Sequence, residues 1–141
     1  MSQILLAAGA LIFLALGAGH AVLTLRDLSV PRAFTPTDPS LRRAMQESTL
    51  ALSPRLNFWN AWLGFNLSHS LGLVLFGGGL ITVAWLHFPA YAQSLSMQVA
   101  AAVVAGAYLV LSLRFWFWGP VAGTGIGLVC FLTAAFLLHA T

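Results

Sequence analysis

Lysine is absent from this sequence, and only three of its 141 residues are acidic. Charged residues make up 6% of the chain, whereas a soluble domain carries about 25%. Hydrophobic residues make up 60%. A surface with so little charge would not stay in water, so the composition predicts an integral membrane protein. The formal charge of +3 arises because acids are few, and it does not indicate a surface for nucleic acid.

Catalytic and metal-binding groups are also scarce. The single cysteine, Cys130, lies in an apolar segment, which excludes an internal disulfide and a thiolate metal cluster. No Asp or Glu lies inside a predicted span, so a proton relay or a carboxylate metal centre is not expected. Ser68 and Ser70 flank His69, but adjacent helical residues point apart and no acid orients the imidazole. We therefore predict no catalytic residue and no metal site, as is more typical of a protein that is not an enzyme.

Four apolar segments are long enough to cross a bilayer, which takes about 20 residues. They predict an all-α fold, an integral membrane four-helix bundle. The predicted spans are residues 4–25, 61–85, 97–117 and 120–139. The sequence contains no internal repeat, so a single domain of residues 1–141 is expected.

Arginine is distributed unevenly between the connections. Five of the six arginines lie in residues 26–56, Arg26 included, whereas the connection HFPAYAQSLS has no Lys, Arg, Asp or Glu. Positive charge accumulates on the cytoplasmic side of a membrane. The expected localisation is therefore the bacterial inner membrane, with several passes and both termini outside.

The arginine-rich connection also contains a helix signal. Asp38 can cap a helix that begins at Pro39, and apolar residues follow on one stripe. The pattern predicts a short amphipathic cytoplasmic helix at residues 39–52, with its arginines near anionic headgroups. A capped loop helix and a segment that binds a partner fit the pattern equally well.

Glycines recur every four residues at the start of the fourth span. Gly119, Gly123 and Gly127 share one helix face, which lets a neighbouring backbone approach closely. They predict GxxxG-type helix packing, against another span or against a second subunit. The glycines at 77–79 indicate a kink or a close contact rather than a phosphate loop, because no strand precedes them and no lysine follows.

The start of the second span, NFWNAWLGFNLSHSLG at residues 57–72, contains several polar side chains. Polar residues also occur in the other spans. Because polar groups exposed to lipid lack partners, these residues predict a pocket in the cytoplasmic half of the bundle. The candidate ligand-binding residues are His20, Asn66, His69, Tyr108 and Arg114.

Simpler roles remain open for the same residues. His20 and Asn66 can form an interhelical hydrogen bond, and Arg114 can reach the headgroups from the end of its span. His20 and His69 differ in height by roughly 4–9 Å, which argues against a haem held between them. No cofactor is predicted, and haem and quinone are left open.

Three motifs carry a family resemblance: GAGH in the first span, the connection PRAFTPTDPSLRRAM, and WNAWLGFNLSHSLG at the start of the second span. They resemble small uncharacterised bacterial four-span membrane proteins, which are similar to the DoxX-like proteins in size and topology. The resemblance implies a four-helix bundle with a polar surface between the first two spans, and it implies no activity.

Two functions follow as expectations. The first is a small membrane protein without catalytic activity that forms an oligomer or serves as an accessory subunit of a larger membrane complex. The alternative is a binding protein or carrier for a lipid-like or quinone-like molecule in the cytoplasmic-half pocket. The expected partners are membrane lipid and further copies or subunits, and not nucleic acid.

Overall fold

Helices dominate the computed structural model, which describes residues 1–140. The helices are α1 (Ser2–Ser29), α2 (Pro39–Glu47), α3 (Phe58–Leu86), α4 (Phe88–Gln93), α5 (Leu95–Phe115) and α6 (Trp118–His139), and the strands are β1 (Thr49–Leu50) and β2 (Ser53–Asn57). The helices α1, α3, α5 and α6 are long and apolar enough to cross a membrane. The predicted all-α fold of a multi-pass membrane protein is confirmed.

The helix bounds differ from the predicted spans at two informative places. α1 continues to Ser29, so Arg26 and Asp27 belong to the helix rather than to the connection. The surface helix predicted at residues 39–52 ends at Glu47 and is followed by the antiparallel pair β1–β2. A proline disfavours helical backbone at the residue before it, and Pro54 therefore fits an extended Ser53.

Side-chain caps fix where several helices begin. The carboxylate of Asp38 accepts a hydrogen bond from the amide of Ser40 at the start of α2, with proline in the first turn, as predicted. The hydroxyl and amide of Ser40 lower the pKa of Asp38. Asn57 caps α3 by accepting from the amide of Asn60 at 2.8 Å. These caps satisfy amides that have no partner within the helix.

The chain divides into two compact units, which we call the bundle unit and the loop unit. The bundle unit comprises residues 1–16 and the chain from residue 73 onward, and the loop unit is Gly17–Gly72. Both α1 and α3 contribute residues to each unit. Whether the chain is a single domain stays a prediction.

The core of the bundle unit is aromatic. Phe13 of α1 is completely buried. Its ring lies 5.0 Å from Phe76 of α3, 5.9 Å from Tyr108 of α5 and 5.8 Å from Phe131 of α6, measured between centroids. One ring from each long helix therefore meets at Phe13, so this unit is a four-helix bundle with edge-to-face and stacked contacts.

Glycines bring helix backbones together in the bundle unit. A Cβ atom on Gly77 would lie 2.5 Å from the amide nitrogen of Leu14 and 2.6 Å from the carbonyl oxygen of Ala10. A Cβ on Gly123 would lie 2.9 Å from the side chain of Leu16, and one on Gly127 would lie 2.6 Å from the ring of Phe13. These three glycines thus face α1 of the same chain. A Cβ on Gly119 would instead meet the ring of Phe117, at 3.2 Å.

One end of the bundle unit carries a polar cluster. The buried Gln98 donates from Nε2 to the backbone carbonyls of Tyr91 and Ala92, at 3.0 and 3.2 Å. Its Oε1 lies 2.8 Å from Nε2 of His139, which must be the donor because an amide oxygen only accepts. The amide of Gln98 is therefore fully used in joining α5 to α4 and α6.

Tyr91 beside this cluster is fully buried, and its hydroxyl has no hydrogen-bond partner within the described residues. Burial raises the pKa of Tyr91, so the group is a neutral, unsatisfied phenol. An unsatisfied buried group destabilises a protein by about 1–3 kcal/mol.

Tyr91→Phe is expected to stabilise the protein by about 1–2 kcal/mol, because it removes the unsatisfied hydroxyl and keeps the ring. The measurement is thermal unfolding in detergent. Tyr108→Phe is the control, since the Tyr108 side chain is only half-buried, and it should give no comparable gain. A melting temperature of Tyr91→Phe at or below that of the wild type would contradict this account.

Candidate functional site

Polar residues of α1 form a stripe in the loop unit. His20, Thr24 and Asp27 are spaced by four and three residues, so they share one helix face. Thr24 and Asp27 are almost completely buried, and His20 is half-buried. The hydroxyl of Thr24 donates to the carbonyl oxygen of His20 at 2.9 Å. This face of α1 therefore places two groups, an imidazole and a carboxylate, against the rest of the unit.

Hydrogen bonds and a ring contact link His20 to Asn66, Trp62 and Phe34. Its Nε2 lies 2.9 Å from Oδ1 of Asn66, and the Nδ2 of Asn66 donates to the carbonyl of Trp62 at 2.8 Å. The indole of Trp62 donates to the carbonyl of Phe34 at 2.9 Å. The ring of Phe34 covers His20, with centroids 4.3 Å apart. In this arrangement Oδ1 of Asn66 accepts, so Nε2 of His20 carries the proton.

The interhelical hydrogen bond that the sequence allows between His20 and Asn66 is thus present. Asn66 is 1% exposed, and with both its amide atoms bonded it satisfies the demand that buried polar groups be paired. The pair joins the end of α1 to the start of α3. Its geometry is that of a structural link.

His69 and Ser70 complete the polar patch that the sequence places next to Asn66. The hydroxyl of Ser70 is buried and donates to the carbonyl of Asn66 at 2.9 Å. The rings of His69 and His20 meet edge to face, with centroids 5.2 Å apart. Ser68 is exposed and bonds back to Phe65. The contact between the imidazoles leaves no space for a porphyrin between them.

Asp27 organises the segment that follows α1. Its Oδ1 accepts from the amides of Arg32 and Ala33, both at 2.9 Å. Its Oδ2 accepts from the amide of Phe34 at 2.6 Å and from the hydroxyl of Thr35 at 3.1 Å. Bonds to a carboxylate are among the strongest hydrogen bonds in proteins. One buried side chain therefore fixes residues 32–35 and positions Phe34 over His20.

An open groove of about 950 Å³ lies beside the end of α1 and the segment that Asp27 holds. Four aliphatic side chains and two arginines line most of it, and we call it the Arg groove. These residues are Val22, Leu23, Leu25, Val30, Arg26 and Arg32. The groove therefore combines apolar walls with two cationic groups, which is the lining that an amphipathic molecule needs.

A smaller cleft of about 490 Å³ shows where the apolar side of α2 lies. Leu41 and Met45 line it together with Phe34, Phe58 and Trp62. The predicted amphipathic stripe of α2 therefore faces the Asp27-held segment and the start of α3.

The predicted site residues belong to different units. His20, Asn66 and His69 lie together in the loop unit, whereas Tyr108 and Arg114 lie on α5 in the bundle unit. Tyr108 packs its ring against Phe13. Arg114 is exposed in the last turn of α5, where a guanidinium suits the negative end of the helix dipole.

Sequence reasoning missed Asp27 and the two arginines of the Arg groove as candidate site residues. A signal for Asp27 was present, because it continues the spacing of His20 and Thr24 by one more turn. The apolar run ends at residue 25, however, so the sequence pattern assigns the carboxylate to the connection. Arg26 and Arg32 carried no local signal beyond charge, since they come together only through the path of the held segment.

The described residues contain no group of three or more His, Cys, Asp or Glu side chains placed to hold a metal ion. Compared with known proteins, the chain matches no family model, no curated protein and no solved structure. We therefore infer function from the geometry of the loop unit.

Proposed function

We propose that this chain is a multi-pass protein of the bacterial inner membrane that binds one amphipathic molecule, lipid-like or quinone-like, in the Arg groove. The observation that carries the proposal is the groove itself, with aliphatic walls and two arginines beside the end of a membrane-length helix. Binding sites for small molecules are concave and mostly apolar, with a few polar groups that orient the ligand.

The order of the surrounding chain supports the proposal. A site held in its binding geometry before the ligand arrives binds more tightly, because less freedom is lost on binding. Asp27 accepts hydrogen bonds from the amides of Arg32 and Ala33, which line the Arg groove, so it fixes one wall of the groove. The hydrogen bond between His20 and Asn66, neither of which lines the groove, holds α1 to α3. In this proposal these two residues support the site and do not contact the ligand.

An oligomeric or accessory subunit is the weaker proposal. The scarcity of charge, the lack of a complete catalytic set and the glycine pattern at the start of α6 favour it. Gly123 and Gly127, however, face Leu16 and Phe13 of the same chain. These glycines are used within the bundle unit, so they do not argue for a second subunit. Oligomerisation itself stays a prediction.

The distribution of arginine supports the proposed orientation. The connection that contains α2 carries most of the positive charge, and the connection that contains α4 has no charged residue. With the positive connection inside, both termini lie outside and the Arg groove lies at the cytoplasmic surface. Its occupant would come from the inner leaflet.

The test compares two valine-to-tryptophan variants. Val30→Trp places an indole in the Arg groove, whereas Val99→Trp places one at an exposed position of α5 in the bundle unit. Displacing an apolar contact the size of one aliphatic side chain weakens binding by about 1.5–3 kcal/mol, which is about tenfold or more in affinity. Mass spectrometry of amphiphiles that remain with the purified protein measures occupancy per chain.

The expected result is about one molecule per chain in the wild type and in Val99→Trp, and at least tenfold weaker retention in Val30→Trp. Equal retention by both variants would show that the Arg groove is not the site. Wild-type protein that retains no amphiphile would contradict the proposed function.

A further inference from the structure

The charged side chains of the Arg groove differ in whether they already have a partner within the protein. Arg26 and Arg32 are exposed. Within the described residues, neither forms an ion pair with a carboxylate; the ion pair present there joins Arg43 to Glu47. The carboxylate of Asp27 is buried, and both its oxygens already accept two hydrogen bonds. The groove therefore offers unpaired cationic donors and no unpaired acid.

Arginine suits one class of anion in particular. Its planar guanidinium presents paired N–H donors that match the oxygens of a phosphate. Two arginines in one groove can bind a phosphate together, and the aliphatic side chains beside them suit acyl chains. An ammonium group on the same ligand would find no free carboxylate in the groove, because Asp27 is fully occupied.

We propose that the Arg groove selects an anionic phospholipid, whose phosphate binds Arg26 and Arg32 while its acyl chains lie along Val22, Leu23 and Val30. This inference rests on the proposed function and narrows its ligand class. A neutral quinone would leave both guanidinium groups without an anion. A zwitterionic lipid would place an ammonium group beside two positive charges.

The experiment is native mass spectrometry of the full chain in mixed micelles with equal amounts of phosphatidylglycerol and phosphatidylcholine of matched acyl chains. An arginine near an anionic lipid surface contributes about 1 kcal/mol, so two arginines are expected to favour phosphatidylglycerol at least tenfold. The variant Arg26→Gln with Arg32→Gln is expected to lose this preference.

The matched control is Arg42→Gln with Arg55→Gln. It also removes two positive charges, one from α2 and one from β2, both outside the Arg groove. This variant should keep the preference for phosphatidylglycerol. Equal loss of the preference in both double variants would mean that net charge alone attracts the lipid, which overturns the inference. Millimolar inorganic phosphate should not displace the lipid; displacement would identify free phosphate as the ligand and overturn the phospholipid assignment.

The outcomes separate this inference from the proposed function. If both lipids bind equally and Val30→Trp still weakens their binding, the headgroup selection is wrong and the amphiphile site survives. If neither lipid stays bound to the wild type, the inference and the proposed function both fail.

Discussion

Asp27→Ala is expected to release the segment after α1 and to lower the free energy of unfolding by about 3 kcal/mol. The variant removes the acceptor of three backbone amides and one hydroxyl. Hydrogen bonds to charged groups contribute about 1.5–3 kcal/mol each. The total loss is smaller than their sum, because Arg32 and Ala33 are exposed and their amides can bond to water instead.

Hydrogen–deuterium exchange of residues 30–36 measures the release directly, and unfolding in mixed micelles measures the stability. Asp38→Ala is the control, because it also replaces an aspartate with alanine but removes only the cap of α2. Loss of such a cap costs about 1 kcal/mol and should leave exchange in residues 30–36 unchanged. Unaltered exchange in Asp27→Ala would mean that the carboxylate does not hold the segment.

Gly77→Ala is expected to destabilise the bundle unit by about 3 kcal/mol. The added methyl group would meet backbone atoms of Ala10 and Leu14 at 2.5–2.6 Å. Backbone cannot rotate away as a flexible side chain can, so α1 or α3 must shift. Overpacking of this kind typically costs about 1–3 kcal/mol, occasionally more, and it outweighs the gain of up to about 1 kcal/mol from replacing glycine in a helix.

Gly79→Ala tests whether close packing is the cause. A Cβ at this position has no heavy atom within 4 Å, so only the helix-propensity gain remains and the variant should be neutral or slightly more stable. Both variants are compared by unfolding in the same micelles. Equal effects of the two substitutions would refute the close approach of α1 and α3 at Gly77.

Much of the fold could be predicted from the sequence because the strongest signals in it are local. Apolar length identifies the four long helices, and Asp38 followed by Pro39 gives the start of α2. The sequence pattern does not predict the hairpin after α2, because the apolar stripe that contains Leu41 and Met45 continues past Glu47. β1 and β2 pair through backbone contacts, and the spacing of apolar residues does not predict such contacts.

The site could be predicted less completely, for a physical reason. The pairing of His20 with Asn66 follows from the demand that buried polar groups be satisfied, and both lie in apolar helices. The Arg groove depends instead on where the chain goes after α1. That path is set by backbone amides that donate to Asp27. Because every residue except proline has such an amide, the sequence does not show which amides will bind the carboxylate.

The most direct test of the central claim is a structure of the full chain in nanodiscs that contain anionic phospholipid. We expect density for one lipid in the Arg groove, with its phosphate at Arg26 and Arg32 and with Asp27 bonded to the amides of residues 32–34. An empty groove in lipid, or an Asp27 carboxylate turned away from these amides, would contradict this claim.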